Sequence, residues 1–254
     1  MISLKTTEQI DAIARAGSIL AAMFDAIVPE IRPGVSTADL DLFGENFIMS
    51  HAGATPSFKG LYGFPASLCI SINHEVVHGI PSAKRILQEG DIVSIDGGVS
   101  LEGWYADAAR TYAVGDVDAV SEVLLRVTHE ALEAGIAKAV AGNHLGDVGS
   151  AIQSVAETAG FTVVRDLVGH GIGRDPHEEP QVPNFGKPGK GLVLQPGLVL
   201  AIEPMVNAGT PAVRTLADRW TVVTADKKRS AHFEHTVAVT ENGPKVLTVM
   251  GPRG

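Results

Sequence analysis

Apolar residues recur along the chain with two periods, which predict helices in some segments and strands in others. Spacing typical of helices occurs in four segments: residues 6–27, 36–48, 121–141 and 146–159. Thr6 and Gln9 have capping-box spacing, and Ser36 or Thr37 caps the second helix. Runs rich in β-branched residues predict six strands: residues 70–73, 92–96, 162–164, 198–203, 220–223 and 235–239. Helices and strands mixed without a low-complexity linker predict one α/β or α+β domain over residues 1–254.

One predicted strand occurs twice in similar form. Residues 87–96, LQEGDIVSID, resemble residues 194–203, LQPGLVLAIE. Each copy has glycine at its fourth position, followed by an apolar strand that ends on a carboxylate, Asp96 or Glu203. A His-Gly-Ile triplet precedes each copy, at residues 78–80 and 170–172. Chance similarity over so short a segment is the alternative, because short motifs recur freely. A true repeat predicts two similar halves that face each other.

Two further acids extend the repeat. Asp107 follows the first copy and Glu234 the second, and each is expected to begin another strand. The short gap between Asp96 and Asp107 suits a hairpin that turns near residues 102–103 and places both carboxylates on one face. Four carboxylates gathered without a cation would repel one another and take up protons. We therefore expect divalent ions between them, and oxygen ligands with one imidazole favour Mn, Fe or Co, with Zn as an alternative.

Three of the nine histidines lie in Gly- and Pro-rich segments beside the acid-bearing strands: His78, His170 and His177. The glycines on both sides of His170 permit close approach of the backbone to a ligand. Four others are expected to be ordinary surface or core residues: His51, His129, His144 and His232. Cys69 lies in an apolar strand-like run with no adjacent base, which favours a pocket wall over a nucleophile.

Composition excludes several classes of function. The net charge of −9 argues against a general nucleic-acid-binding protein. A single cysteine permits no internal disulfide, and the N-terminus lacks a secretory pattern. The apolar runs are shorter than the roughly 20 residues that a membrane span needs. These features predict a cytoplasmic protein without membrane attachment. No HExxH, phosphate-loop or dinucleotide motif occurs.

Seven segments, in order, resemble type I methionine aminopeptidase: 71–73 (SIN), 77–81 (VHGIP), 91–96 (DIVSID), 169–173 (GHGIG), 177–180 (HEEP), 202–205 (IEPM) and 234–236 (EHT). The likeness extends from about Leu4 to about Thr248. It implies the α+β pita-bread fold, with a curved antiparallel sheet inside, helices outside and internal pseudo-twofold symmetry. It also implies that the whole chain is a single catalytic metallopeptidase domain.

The resemblance assigns roles to individual residues. Two divalent ions (Co, Mn, Fe, Zn or Ni) would be held by Asp96, Asp107, His170, Glu203 and Glu234. Asp107 and Glu234 would bridge the ions, His170 and Glu203 would complete one site, and Asp96 the other. Glu203 would also carry a proton from water to the leaving amine. His78 would contact the scissile nitrogen and His177 the carbonyl oxygen.

The implied substrate is the N-terminus of a nascent protein or peptide with a small second residue. An enzyme of this family could bind such a chain at the ribosome. The side chain of the first methionine would be surrounded by Phe58, Leu61, Phe64, Cys69, Pro176 and Trp220. Bacterial relatives often have Tyr where Leu61 stands and Phe or Met where Pro176 stands. Because Leu and Pro are also apolar, the resemblance still implies an apolar pocket. We expect a monomer. Because Ile2 is bulky and β-branched, we also expect the protein to retain its own Met1.

Three alternatives share the fold. Prolidase and X-Pro aminopeptidase usually carry a large N-terminal domain, whereas the first ligand-bearing strand here begins near residue 91. Type II methionine aminopeptidase carries a helical insertion that the segment between Glu203 and Glu234 does not hold. A non-catalytic binding protein of this fold would have lost ligands that this chain keeps.

Overall fold

The computed structural model describes residues 2–250, so the expectation about Met1 falls outside the described residues. The helices are α1 (Thr7–Ile27), α2 (Thr37–Met49), α3 (Ala119–Ile136) and α4 (Leu145–Thr158), with 3₁₀ turns at Val28–Glu30 and Leu61–Gly63. The strands are β1 (Ala54–Pro56), β2 (Leu68–Ile72), β3 (Glu75–Val77), β4 (Ile92–Leu101), β5 (Trp104–Ala113), β6 (Thr162–Val163), β7 (Gly169–Gly171), β8 (Glu178–Val182), β9 (Val199–Ile202), β10 (Met205–Asn207), β11 (Val213–Thr215), β12 (Val222–Thr224), β13 (Ser230–His232), β14 (Glu234–Thr240) and β15 (Gly243–Val246).

The first two helices begin at the capping residues that the sequence indicates. Gln9 N donates to Thr6 Oγ1 at 3.4 Å, and Thr6 N donates to Gln9 Oε1 at 3.0 Å. Ser36 and Asp39 make the same exchange at the start of α2. Both capping predictions are confirmed, because each box satisfies backbone donors that a helix start leaves free.

Helix α3 differs from its predicted bounds at both ends. It begins before residue 121 because the Asp118 carboxylate accepts a hydrogen bond from Ser121 N at 2.9 Å and caps the helix. It ends before residue 141, and the chain then turns so that Gly142 N donates to Leu194 O at 2.9 Å. This bond ties the end of the helix to the second copy of the repeat.

A nine-stranded antiparallel sheet forms the centre of the fold. Its order is β1-β4-β5-β14-β9-β7-β8, with β2 pairing β4 and β15 pairing β14. The β4–β5 hairpin turns at Glu102 and Gly103, whose φ angles of 53° and 74° suit a two-residue hairpin turn. The turn is therefore where the sequence predicts it.

The prediction that Asp107 and Glu234 each begin a strand is correct for only one of the two acids. Asp107 is expected to begin its strand, but it lies inside β5, so that prediction is wrong. Pairing between β4 and β5 continues up to the turn, with Leu101 opposite Trp104, so the strand starts earlier than Asp107. Glu234 does begin β14, and that expectation is confirmed.

Two apolar cores lie against the sheet. The first joins α1 and α2 to β4 and β5, around Phe24, Leu40 and Ile95. The second joins α3 and α4 to β9 and β14, around Leu132 and Leu200. Each half of the chain thus supplies two helices and a strand pair, which confirms the repeat. The half-cores fix the backbone of the strands that carry the acids.

The segment between β9 and β14 forms parts of two smaller sheets, of order β13-β10-β6 and β11-β12-β3. The predicted strand at residues 220–223 is shifted, because β12 begins at Val222. Backbone N–H groups of Trp220 and Thr221 both donate to Asp218 Oδ1 at 2.9 Å. This turn holds Trp220 just before the strand.

One segment, Thr7–Glu30, is long and apolar enough to cross a membrane by length and composition alone. The expectation that no run approaches that length is corrected on this point. Apolar residues of the segment, including Leu20 and Phe24, are nevertheless fully buried in the first core. Its hydropathy is therefore explained by packing against the sheet.

Candidate metal centre and active site

The first half places two acids on one face of the β4–β5 hairpin. Asp96 lies opposite Ala109, and Asp107 lies opposite Gly98. Because side chains alternate along a strand, Asp96 and Gly98 share a face, and the two carboxylates are diagonal neighbours. Gly98 has no side chain to fill the space opposite Asp107, and a Cβ there would lie 2.0 Å from Ser57 Oγ.

The second half adds two acids and a histidine. Glu203 directly follows β9, and Asn184 Nδ2 donates to its carbonyl oxygen at 3.0 Å. His170 lies in β7, opposite Ala201 of β9. Its Nε2 is 3.6 Å from Glu203 Oε1 and 3.9 Å from Asp107 Oδ2. The sheet order sets β14, which begins with Glu234, between the two halves.

The five predicted ligands converge on one place. Their possible ligand atoms form two groups, each with all atoms within 4.8 Å of one another: His170, Glu203 and Glu234, and Asp96, Asp107 and Glu234. Glu234 belongs to both groups. Asp96 Oδ1, Asp107 Oδ1 and Glu234 Oε1 are buried without a hydrogen-bond partner among the described residues. Buried carboxylate oxygens left unpaired are costly unless a cation binds them, so this donor set fits divalent metal.

The electrostatics of the cluster favour the binding of cations. Burial raises the pKa of Asp96 to about 7 and that of Glu203 to about 8. Burial, together with the neighbouring carboxylates, raises the pKa values of Asp107 and Glu234 well above their usual range. Burial lowers the pKa of His170 to about 4, so its imidazole is neutral and able to bind metal.

His78 and His177 lie at the edge of the carboxylate cluster. The His177 ring stands edge-on to His170, with centroids 4.4 Å apart, and Tyr62 stacks on it at 5.8 Å. A third group of possible ligand atoms joins His177 to His170 and Asp107. His177 is nevertheless the most exposed member of that group, which favours contact with substrate over ligation. His78 has a φ of 59° and faces the ring of Trp220, with centroids 6.3 Å apart.

A cavity of about 530 Å³ opens over the carboxylates and both histidines. Its apolar wall is a packed cluster that contains five of the six predicted pocket residues: Phe58, Leu61, Phe64, Cys69 and Trp220. The structure does not place Pro176 on the cavity wall, so that expectation is wrong. Pro176 is half-buried in the bend before β8, and the next residue, His177, faces the cavity instead. The sequence did not single out other lining residues, among them Tyr62, Val77, Leu167 and Met205.

His232 is the histidine that the sequence interpretation misplaced. It is not an ordinary core residue, because its Nε2 lies 3.6 Å from Glu203 Oε2 and 4.0 Å from Glu234 Oε2. The signal was present in the chain: His232 stands two positions before Glu234, and alternation along an extended segment can turn both side chains to the same side. His51, His129 and His144 lie outside the cavity wall.

Comparison with known proteins identifies the family. Residues 11–241 match the model of metallopeptidase family M24. The chain belongs to that family. A methionine aminopeptidase of Clostridium perfringens (strain 13 / Type A) is 55% identical over 250 residues, which cover 98% of this chain and 100% of that protein. The resemblance to type I methionine aminopeptidases is therefore confirmed.

Solved structures support the fold of this metallopeptidase. A crystal structure of methionine aminopeptidase from Rickettsia prowazekii matches with a TM-score of 0.96 at 45% identity, over 98% of this chain and 100% of that chain. A prolidase from Pyrococcus furiosus matches with a TM-score of 0.77 at 25% identity, over 96% of this chain but 65% of that chain. The metallopeptidase has the α+β pita-bread fold, and the prolidase is the longer protein.

Proposed function

We propose that this metallopeptidase is a methionine aminopeptidase, formed by the whole chain as a single catalytic domain. It removes the first methionine from proteins and peptides whose second residue is small. The observation that carries the proposal is the joining of two features in one cavity: unpaired buried carboxylates on one side and a packed aromatic wall on the other. We place the activity in the cytoplasm, on nascent chains, with no nucleic-acid or membrane partner and with the protein as a monomer.

The residues that would hold two divalent ions are Asp96, Asp107, His170, Glu203 and Glu234, and Glu234 belongs to both groups of possible ligand atoms. Co, Mn, Fe, Zn and Ni all suit this set of oxygen donors with one imidazole. Such ions lower the pKa of water and stabilise negative charge on a carbonyl oxygen. Binding of the substrate's free α-amine beside them would restrict cleavage to the first residue.

The remaining chemistry belongs to side chains of the cavity. Glu203 accepts the proton of the attacking water and later donates it to the leaving amine, the role of a carboxylate that acts first as general base and then as general acid. His177 donates a hydrogen bond to the substrate carbonyl oxygen, and His78 contacts the scissile nitrogen. Because burial lowers the pKa of His78 to about 4, that imidazole is neutral at pH 7.

Selectivity for methionine follows from the apolar wall. Phe64 and Trp220 meet edge to face with centroids 5.1 Å apart, and Cys69 is buried beside them. A thioether makes favourable contacts with aromatic rings and adapts to irregular apolar pockets. Leu61 packs against this cluster from a partly buried position and keeps the wall apolar.

The test is a peptide comparison with chelated protein reconstituted with Mn²⁺ or Co²⁺. Met-Ala-Ser should lose its first residue, Met-Ile-Ser should be cleaved far more slowly, and an Ala-Pro peptide should remain intact. Cleavage of Ala-Pro in preference to Met-Ala-Ser would favour a prolidase or X-Pro aminopeptidase activity. Protein that binds two ions but cleaves neither peptide would favour a non-catalytic binding protein.

A further inference from the structure

His232 is buried beside the carboxylates, yet its side chain makes no hydrogen bond with the described residues. The residue is 1% exposed, and neither ring nitrogen has a hydrogen-bond partner among the described residues. A buried imidazole without a partner is rare, because its desolvated N–H costs free energy unless it finds an acceptor. The acceptors that face it are Glu203 Oε2 at 3.6 Å and Glu234 Oε2 at 4.0 Å.

The backbone of His232 is held firmly in this place. Thr111 Oγ1 accepts a hydrogen bond from His232 N at 2.9 Å and donates one to His232 O at 2.7 Å. Ser94 Oγ is hydrogen-bonded to Thr111 Oγ1 at 2.8 Å. His232 also lies opposite Met205 in the β10–β13 pair. Three strands therefore fix the Cα of His232, so the ring stays beside the carboxylates.

The two oxygens of the Glu203 carboxylate face different histidines. Oε1 lies 3.6 Å from His170 Nε2, and Oε2 lies 3.6 Å from His232 Nε2. The proposed chemistry requires Glu203 to present a defined oxygen to metal and to water. A donor on the opposite oxygen would set the rotation of the carboxylate about its terminal bond, which is otherwise broad.

We propose that His232 is a positioning residue: its Nε2–H donates a hydrogen bond to Glu203 Oε2 and so turns Oε1 toward His170 and the metal position. This inference rests on the proposed function and deepens it. Closing the 3.6 Å separation to hydrogen-bond length requires a shift of roughly half an ångström. His232 belongs to none of the groups of mutually close ligand atoms, which favours a partner of Glu203 over a further ligand.

The test compares two amides of different reach at one position. His232→Gln keeps an N–H donor at a similar distance, whereas His232→Asn carries the same amide on a shorter side chain. Partners of metal ligands typically change metal affinity or activity by about 10–100-fold when they are lost. We expect His232→Asn to bind two equivalents of Co²⁺ in calorimetry with one affinity about tenfold weaker, and to lose about 10–100-fold in kcat on Met-Ala-Ser with little change in KM. His232→Gln should restore both quantities to within about threefold of wild type.

Thermal melts of the metal-free variants show whether each is folded, and His232→Leu replaces His232→Asn if the latter is not. The inference would be overturned if His232→Gln were impaired as strongly as His232→Asn or its replacement, His232→Leu. It would also be overturned if His232→Asn or His232→Leu kept wild-type metal affinity and kcat. Loss of a whole Co²⁺ equivalent in both amide variants, with a changed Co²⁺ absorption spectrum, would instead make His232 a ligand. If wild type binds Co²⁺ but leaves Met-Ala-Ser intact, the proposed function fails, and the affinity comparison still decides the role of His232.

Discussion

The two halves of the molecule carry the same His-Gly-Ile triplet before the same strand, but they use it differently. In the second half, His170 lies in β7 and pairs directly with the strand that precedes Glu203. In the first half, His78 lies outside the central sheet with a φ of 59°, and Ile70 N donates to Gly79 O at 2.8 Å. One triplet therefore reaches the carboxylates, and the other forms a wall of the cavity.

The connection between the paired strands also differs. In the first half, β4 and β5 are joined by a two-residue turn, so both acids belong to one hairpin. In the second half, β9 and β14 are separated by a segment that forms parts of two smaller sheets. That segment carries Trp220 and His232. The comparison teaches that the duplicated strands carry the carboxylates, while the unduplicated segment adds Trp220 to the apolar wall and places His232 beside Glu203.

The largest expected effect is loss of turnover when one acid of either half is neutralised. Asp107→Asn removes a carboxylate of the cluster from the first half, and Glu203→Gln removes the proposed proton carrier from the second. We expect each to lower kcat/KM on Met-Ala-Ser by at least about 10²–10⁴-fold, the typical contribution of general acid–base catalysis. Circular dichroism should show a retained fold. Activity within about tenfold of wild type at saturating metal, in either variant, would break the equivalence of the halves.

The three histidines of the cavity should separate metal binding from rate. His170→Ala should weaken metal binding in calorimetry, because it removes a nitrogen beside the carboxylates. His78→Ala and His177→Ala should keep the metal and lower kcat by about 10²–10³-fold, as for a lost transition-state hydrogen bond. Loss of metal in His177→Ala would assign that residue to the third group of possible ligands and correct the division made here.

Metal-free protein should lose stability as pH rises. The folded-state pKa values of Asp96 and Glu203 are raised to about 7 and about 8, above their ordinary values of 3.8 and 4.5. Between those limits the folded state binds more protons than the unfolded state, so the free energy of unfolding decreases as pH increases. We expect the Tm of chelated protein to fall by at least about 4 °C from pH 5 to pH 8, which corresponds to about 1–2 kcal/mol.

Variants from each half sharpen the same test. Asp96→Asn and Glu203→Gln should each flatten part of the pH dependence in thermal melts of chelated protein. Bound divalent metal should remove it, because metal binds the deprotonated carboxylates. A Tm of metal-free wild type that rises from pH 5 to pH 8 would contradict the burial of these acids without a cation.

The smallest expected effect concerns an ion pair that joins the N-terminal segment to the second half. Lys5 Nζ lies 2.5 Å from Glu178 Oε2, with side-chain exposures of 2% and 14%, directly beside His177. Lys5→Met should lower the free energy of unfolding by about 2 kcal/mol, since it leaves Oε2 of a largely buried carboxylate without its charged partner. Lys245→Met is the control, because its pair with Asp11 is about half exposed and should contribute less than about 1 kcal/mol. Equal losses in thermal or urea unfolding would show that burial does not distinguish the two pairs.

Much of this fold is readable from periodicity and capping. Thr6 and Ser36 start their helices as the sequence indicates, and the repeat identifies the strands that carry Asp96 and Glu203. Local patterns carry these features, so a single sequence suffices. The full length of β5 is not readable in this way, because Asp107, Ala108, Ala109 and Arg110 show no alternation of apolar and polar residues.

The site shows the same division. Its five proposed ligands follow from the acids beside apolar runs and from the family motifs, although β4 continues past Asp96, where the sequence predicts its end, to Leu101. The spacing of His232 and Glu234 hints at a shared side, but the exact place of His232 depends on hydrogen bonds with Thr111, which is distant in sequence. Pro176 shows the opposite error: matching position predicted a wall residue, but the bend before β8 presents His177 instead.

The central claim is that acids from both halves hold a pair of divalent ions on which cleavage depends. Titration of chelated wild-type protein with Mn²⁺, followed by calorimetry and by turnover of Met-Ala-Ser in the same samples, tests it most directly. The account predicts binding of two equivalents, turnover that appears only as metal is added, and its loss on renewed chelation. Full turnover by metal-free protein, or the absence of any bound Mn²⁺ in protein that cleaves the peptide, would contradict it.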